Sequence, residues 1–466
     1  MPALPLKLGA FDRTDLPEVA CVNMLAEPNP TSETFPMMLI ARFGLATFAT
    51  VGTAPIRGVF QRDGIFGGDA IILAQETLYR LSAGAVVTAF TGTVAGDDLV
   101  IMDAGLDNNG DSVVRIATGS AMYKATGTNV VAETFPDSGN AGATSVAFLS
   151  GYWIGTEVGT DFAYYIEPGG ATWTPLEFAA AEYRPDKLKG VVVVGEIAWL
   201  MGDSTLEGWR ATGDAGSPLA PAGGLKFDVG CKTIHAAVNC RGVLIFVDND
   251  GSVRMMAGAD PAVISGYDLA QQIRETSAAD IRASFFTKDQ HPLYVLTLGE
   301  SATWAYDLGT KVWTRMESDG ETYWKADLFA NIGDTVIARD ATSSVIYTLD
   351  PDLATDAGET FTCYFASFIP ALERPVPVAN VALDCEVGGS PRSGQGSNPQ
   401  IGLQWSRNGG KTYGGLRFRG LGATGEYRTR VKWNALGQAD APWGMWLRWQ
   451  VSDPVRRRFS GAMVNT

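Results

Sequence analysis

From about residue 57 to residue 352 one texture recurs: a β-rich run, a turn built on Gly, Asp or Asn, a second β-rich run, and a polar connection. Ala70-Ile-Ile-Leu-Ala precedes Thr77-Leu-Tyr-Arg-Leu; Ser112-Val-Val-Arg-Ile precedes Ala121-Met-Tyr-Lys; Ser145-Val-Ala-Phe-Leu precedes Phe162-Ala-Tyr-Tyr-Ile. Four further pairs start at Gly190, Gly242, Leu293 and Thr335. A strand pair cannot bury both faces alone, so a chain that repeats one must stack the copies. Seven units at a period of roughly 40–50 residues are what four-stranded propeller blades require. The turns agree, since Asn108-Asn-Gly110 and Asp248-Asn-Asp-Gly251 suit the positive φ of primed hairpin turns. The expected fold is all-β, a propeller of about seven blades over residues 57–352.

The texture is absent at both ends. Residues 1–56 carry Pro2, Pro5, Pro17, Pro28, Pro30 and Pro36, and proline fixes φ and removes a backbone donor, so this segment reads as an extended N-terminal arm. From 353 to 466, runs such as Thr362-Cys-Tyr-Phe-Ala, Ile401-Gly-Leu-Gln-Trp and Met445-Trp-Leu-Arg-Trp predict a C-terminal β-sandwich-like domain, interrupted by a flexible Gly/Ser/Pro loop at 388–399. One helix is predicted, over 268–281, with Asp268 as its N-cap and Leu269 and Ile273 four apart.

Charge divides along the same line. The chain has a net charge of −15, which opposes tight wrapping of nucleic acid, because phosphate affinity comes mainly from Lys and Arg. Residues 401–466, however, hold eleven Lys and Arg against three acids, a balance of +8 that leaves −23 on the other 400 residues. Such polarity favours complementary docking, between copies or onto a partner. Arg428, Arg430, Arg456, Arg457 and Arg458 are the expected interface contacts. No apolar run reaches the roughly 20 residues of a membrane span. The first residues lack the basic-then-apolar order of a secretory signal, so the expectation is synthesis in a cytoplasm. Cys21, Cys231, Cys240, Cys363 and Cys385 are odd in number and scattered, which predicts reduced core thiols and neither a disulfide framework nor a zinc site.

Little in the chain reads as an active site. Only His235 and His291 could do acid–base work near neutral pH, and no nucleophile motif accompanies them. His291, ahead of an apolar strand, is expected to be structural. The segments 107–111 and 248–251 resemble cation loops but lack the full ligand pattern, so hairpin turns are expected and no metal or cofactor. Ser406-Arg-Asn-Gly-Gly-Lys-Thr-Tyr413 resembles the Asp-box turn of sialidases, which keeps a carbohydrate-active propeller, a glycosidase or glycan-binding module, as the alternative function.

A second set of residues is more specific. Glu182-Tyr-Arg-Pro-Asp186, Gly202-Asp-Ser-Thr-Leu-Glu-Gly-Trp209 and Gly230-Cys231 occur in order. They are followed by His291-Pro-Leu-Tyr-Val-Leu-Thr-Leu298, Thr303-Trp-Ala-Tyr-Asp307, Trp313-Thr-Arg315, Trp405 to Gly410, Leu421-Gly, Trp433, Leu436-Gly437 and Val451-Ser-Asp-Pro454. From residue 182 onward the chain resembles the tail hub or nozzle proteins of short-tailed bacteriophages, also called packaged-DNA stabilisation proteins. Before that the nearest landmark is Arg57-Gly58. The resemblance implies a non-enzymatic virion subunit, assembled in the host cytoplasm into a hexameric ring at the distal end of a short tail. It implies docking to the portal adaptor ring, contact with fibres, spikes or a needle, and DNA passing through the lumen without tight binding. On this reading residues 1–56 and 353–466 combine into a platform that builds the ring and meets the adaptor, with the propeller outward.

Overall fold

A computed structural model describes residues 3–11, 19–136, 139, 142–181, 183–184, 186–214, 217–256, 260–371, 373–455 and 457–465. Seven antiparallel blades follow one another around an axis: among the described residues five are separate four-stranded sheets, the sixth is four strands of a nine-stranded sheet and the seventh four strands of a six-stranded one. Their first strands, Ile56–Phe60, Ile101–Leu106, Ala143–Leu149, Leu188–Val194, Val238–Asn239, Ile281–Lys288 and Ala326–Ile332, line the central channel. Each abuts the first strand of the next blade, and the last returns to the first. One hydrophobic cluster fills each of the seven gaps between blades. Ile71, Leu73, Val114 and Ile116, for example, join the first two blades. Sheet packs on sheet through alternate side chains, so the blade-to-blade contacts form the core of the ring.

The seventh blade takes its fourth strand from the far end of the chain, and the short strands Thr355–Asp356 and Glu359–Thr360 extend the sheet beyond it. Gly44–Thr50 pairs antiparallel with Val345–Asp350, from Gly44 opposite Asp350 to Thr50 opposite Val345. This corrects the expectation that residues 1–56 form an arm outside the propeller. A ring of blades whose last sheet lacked a strand would leave both a ladder and an apolar face uncovered, and Leu45, fully buried among blade-seven residues, covers it.

The rest of the N-terminal segment joins the C-terminal sandwich. One sheet is ordered Met24–Pro28, Met37–Ala41, Arg458–Asn465, Val376–Cys385, Lys432–Ala439, with Ala3–Leu4 also on Arg458–Asn465. The other contains Cys363–Ile369, Met445–Val451, Gln400–Ser406 and Arg417–Gly420. The two-residue strand Cys21–Val22 links this second sheet to the propeller: Val22 pairs with Arg315 of the sixth blade on one side and Tyr364 on the other. Blade six and the sandwich thus share one continuous sheet of nine strands. The sandwich core gathers Leu39, Phe365, Trp433, Trp449 and Phe459, with the Phe365 and Trp449 rings stacked at 5.3 Å.

The helix is shorter than its sequence pattern. It spans Tyr267–Glu275 and is followed by a 3-10 turn, Ala278–Asp280, and then a strand from Ile281. Gly266 occupies the N-cap position, and Asp268 lies buried in the first turn, where a carboxylate complements the helix dipole. The helix stops at Thr276, whose backbone N–H donates to Gln272 O and Ile273 O and whose hydroxyl donates to Gln272 O at 2.8 Å.

Candidate interaction surfaces

The landmark residues prove to be knots in the backbone. Asp186 Oδ2 accepts from Ser204 N, Thr205 N and Thr205 Oγ1, each at 2.8 Å. Cys231 N donates to Gly202 O, and a Cβ on Gly230 would stand 1.9 Å from Asp203 O, so only glycine lets those two chains pass. The buried Glu207 accepts from Tyr183 N and from Trp209 Nε1. Glu182 and Pro185 of this motif lie outside the described residues. Arg57 is likewise structural: it is buried with no carboxylate in its hydrogen bonds, and it donates to the carbonyls of Asp98, Gln75, Val94 and Ala95. It thereby pins the crossing from blade one to blade two, and burial draws its pKa down.

Neither histidine is poised for catalysis. His291 Nδ1 lies 2.7 Å from Asp307 Oδ2 and Nε2 lies 3.1 Å from Glu27 Oε1. Burial opposes the charged ring, but the two carboxylates outweigh it and raise its pKa. Carboxylates only accept, so the protonated ring, which can donate from both nitrogens, is the form that ties the arm strand to blade six. His235 lines the channel, where burial lowers its pKa to about 4, so it is neutral at physiological pH. Burial pushes the thiols of Cys21 and Cys231 up to about 11 and 12, which leaves them unreactive.

The suspected cation loops engage their own carboxylates. Asp107 Oδ1 accepts from Asn109 N and Asp111 N, both at 2.9 Å, while Asp248 accepts from Ser252 N and pairs with Arg254. Among the described residues no group of three or more His, Cys, Asp or Glu is placed to hold a metal. In the Asp-box-like turn, Asn408 accepts from Ser406 Oγ and Thr412 N and donates to Thr412 Oγ1. It is a closed hairpin turn.

Two surfaces stand apart by charge. One is a mouth of the propeller, a cavity of about 1110 Å³ whose walls include Asp97, Asp98, Glu275, Asp280 and Glu300. Its arginines are engaged elsewhere: Arg57 on carbonyls, Arg282 and Arg339 on Asp327, and Arg315 on Glu317. The channel beyond it, about 700 Å³, is lined mainly by apolar residues such as Val59, Ile101, Val146 and Val192.

The other surface is the free edge of the sandwich. Strand Arg417–Gly420 is exposed along its whole length and ends the nine-stranded sheet. Arg417 lies over the Trp405 ring at 4.5 Å. Arg419 Nε donates to Lys432 O at 2.8 Å, bringing in the segment with exposed Arg428 and Arg430. Phe418 and Tyr427 are 51% and 72% exposed. Residues 401–432 carry seven Lys and Arg against the single acid Glu426.

Of the arginines singled out by sequence, Arg428 and Arg430 therefore lie on an open basic face. Arg457, expected at an interface, is buried in the chain itself at 2% exposure. Its guanidinium donates to the carbonyls of Phe361, Ser452 and Asp453, tying the turn at 452–455 to Phe361. Arg458 lines a cavity of about 310 Å³ between propeller and sandwich, with Glu27 and Asp289. Arg456 lies outside the described residues. Arg417 and Arg419 escaped the sequence reading, although two arginines flanking Phe418 in a strand-like run were the available signal.

A family model described as bacteriophage P22 Gp10, beta-propeller, matches residues 2–354, and one described as bacteriophage P22 Gp10, beta-sandwich, matches residues 363–466. Among solved structures, virginiamycin B lyase from Staphylococcus aureus has a TM-score of 0.45 at 10% identity, over 70% of this chain and 98% of its own. Raptor from Chaetomium thermophilum has a TM-score of 0.46 at 10% identity, over 66% of this chain and 29% of its own. The WD40 repeats of RRP9 give 0.41 at 10%, over 67% and 100%. Likenesses this distant carry no argument about function. No curated protein matches the chain.

Proposed function

Since the chain belongs to the family of bacteriophage P22 Gp10, the tail nozzle or stabilisation proteins of short-tailed phages, we propose that it forms a ring at the distal end of the tail, docks below the portal adaptor, helps retain packaged DNA and conducts it during ejection. It is a structural protein of the virion tail. The observation that carries the finer reading is the pair of family matches, propeller and sandwich, over nearly all of the chain. Two physical features support it. The overall charge of −15 repels phosphate at close range, so a lumen built from this chain passes DNA without holding it. The sandwich, with Arg428 and Arg430 on its open face, offers a basic surface for assembly contacts, and fibres, spikes or a needle attach elsewhere on the ring.

In this reading the subunit is hexameric, assembles in the host cytoplasm and has no catalytic step. The platform comprises the sandwich and the arm strands that complete it. Particles assembled without this chain should package DNA and then lose it, measured as nuclease-sensitive DNA released from filled heads. Heads that keep their DNA equally well without the chain would overturn the reading.

A further inference from the structure

We propose that the exposed strand Arg417–Gly420 and the adjoining segment 427–432 form the face by which one copy of this chain docks onto the acidic propeller of a second copy. The inference rests on the ring reading and names its contact surface.

The first argument is the state of the strand. One edge of Arg417–Gly420 pairs with Gln400–Ser406, and among the described residues no strand continues the sheet beyond it. Such edges invite pairing unless they are blunted. Here the blunting is partial: Trp433 Nε1 donates to Arg417 O and Arg419 Nη1 to Phe418 O, while the Phe418 ring is left half exposed to water. An aromatic residue bordered by guanidinium groups is the composition of an interface centre.

The second argument is charge complementarity within one sequence. The face brings together Arg417, Arg419, Arg428, Arg430 and Lys432, and the residues outside 401–466 total −23. That negative charge is available at the propeller mouth. Asp97, Asp98, Asp280 and Glu300 are exposed, and among the described residues no side-chain hydrogen bond or ion pair engages their carboxylates, whereas the arginines around them are all occupied within the chain.

Basic face and acidic mouth lie on different domains, so the contact is heterologous, sandwich to propeller. A heterologous contact builds a ring where its rotation closes and a filament where it does not, and the ring reading selects the closing case. Nucleic acid is the rival occupant, since Arg and aromatic side chains also grip single strands. The net charge of −15, which opposes phosphate, and the acidic propeller carried by the same chain favour a second copy.

The test uses the full-length chain and its mass by light scattering, at low and high salt. The wild type should oligomerise, more weakly at high salt. R417E/R419E and D97K/D98K should each raise the dissociation concentration by about tenfold or more, and the four changes combined should restore most of the association. All four side chains are exposed, so unchanged far-UV spectra and melting temperatures separate lost docking from lost folding. A reversal of Arg417 and Arg419 that leaves the oligomer intact overturns the proposal, while the ring reading survives on another surface. So does a wild type that stays monomeric at every concentration. Loss of binding to a single-stranded oligonucleotide, with the oligomer unchanged, overturns it in favour of nucleic acid. DNA retention by heads lacking the chain judges the ring reading separately.

Discussion

Arg42 has five N–H donors, and all five are engaged. Nε reaches Asn23 Oδ1, Nη1 reaches Phe43 O and Asp356 Oδ1, and Nη2 reaches Glu317 O and Asp356 Oδ2. The planar fork also lies on the Phe361 ring at 3.8 Å. A point charge cannot reproduce this, so Arg42→Lys as well as Arg42→Met should leave Asp356 buried and short of partners. A loss of about 3–5 kcal/mol in urea unfolding is expected for Arg42→Met; under 1 kcal/mol would show the pair to be dispensable. The two histidines make opposite predictions about pH. His291 has a raised pKa in the fold, so its contribution is complete below the unfolded value of about 6.5 and fades as pH rises through the folded value. His235 is lowered to about 4, so its neutral burial holds above about 6.5 and is lost as pH falls toward that value. Melting temperatures of His291→Gln should lose the alkaline-side decline, and those of His235→Asn the acid-side decline. Unaltered profiles would remove both residues from the account.

The strand Gly44–Thr50 shows what an element contributes beyond its own length. Leu45→Ala should cost about 2–5 kcal/mol, because Leu45 is fully buried in the cluster between blades six and seven, whereas Thr47→Ala, exposed on the same strand, should be nearly silent. Equal effects of the two would mean that the strand is not a clasp. The blade count was legible in the sequence because paired β-rich runs recur at a regular spacing, as in Ala70–Ala74 and Thr77–Leu81, or Leu293 to Leu298 and Thr303 to Asp307. Those at Ala70, Leu293 and Thr303 are continuous runs because both faces of a middle strand are buried between neighbouring blades. Of the inner strands, those at Ser145 and Gly190 were legible as well; other inner strands and the outer ones were not. Val238–Asn239 has two residues and Val87–Ala89 three, too few to display a period. The clasp was hidden for another reason: its ladder partner is about 300 residues away, and nothing local marks a strand that completes a distant sheet. The helix was overextended because Ala278 and Ala279 have helical propensity, which tertiary pairing from Ile281 overrode. On the basic face, Arg428 and Arg430 were legible from charge alone, while the burial of Arg457 follows from carbonyls that only the folded turn brings together.

At the scale of the molecule, propeller and sandwich are joined by backbone as well as by side chains. Asn23 is the hinge pin: Nδ2 donates to Glu317 O and Thr362 O, and Oδ1 accepts from Glu317 N and Arg42 Nε. Fluorescence and far-UV circular dichroism should therefore report one coincident unfolding transition, and Asn23→Ala should split it or lower it by about 1–3 kcal/mol. Two transitions in the wild type would refute the coupling. The same lacing sets a schedule for synthesis. Strands near the N-terminus leave the ribosome long before Val345–Asp350 and Arg458–Asn465, the partners they need. At roughly 5–20 residues per second, a 466-residue chain waits roughly half a minute or longer for its final strand. Until then the ring of blades is unclasped and the sandwich lacks its central strand, so on the docking proposed above a nascent or truncated subunit would lack the finished faces that assembly requires.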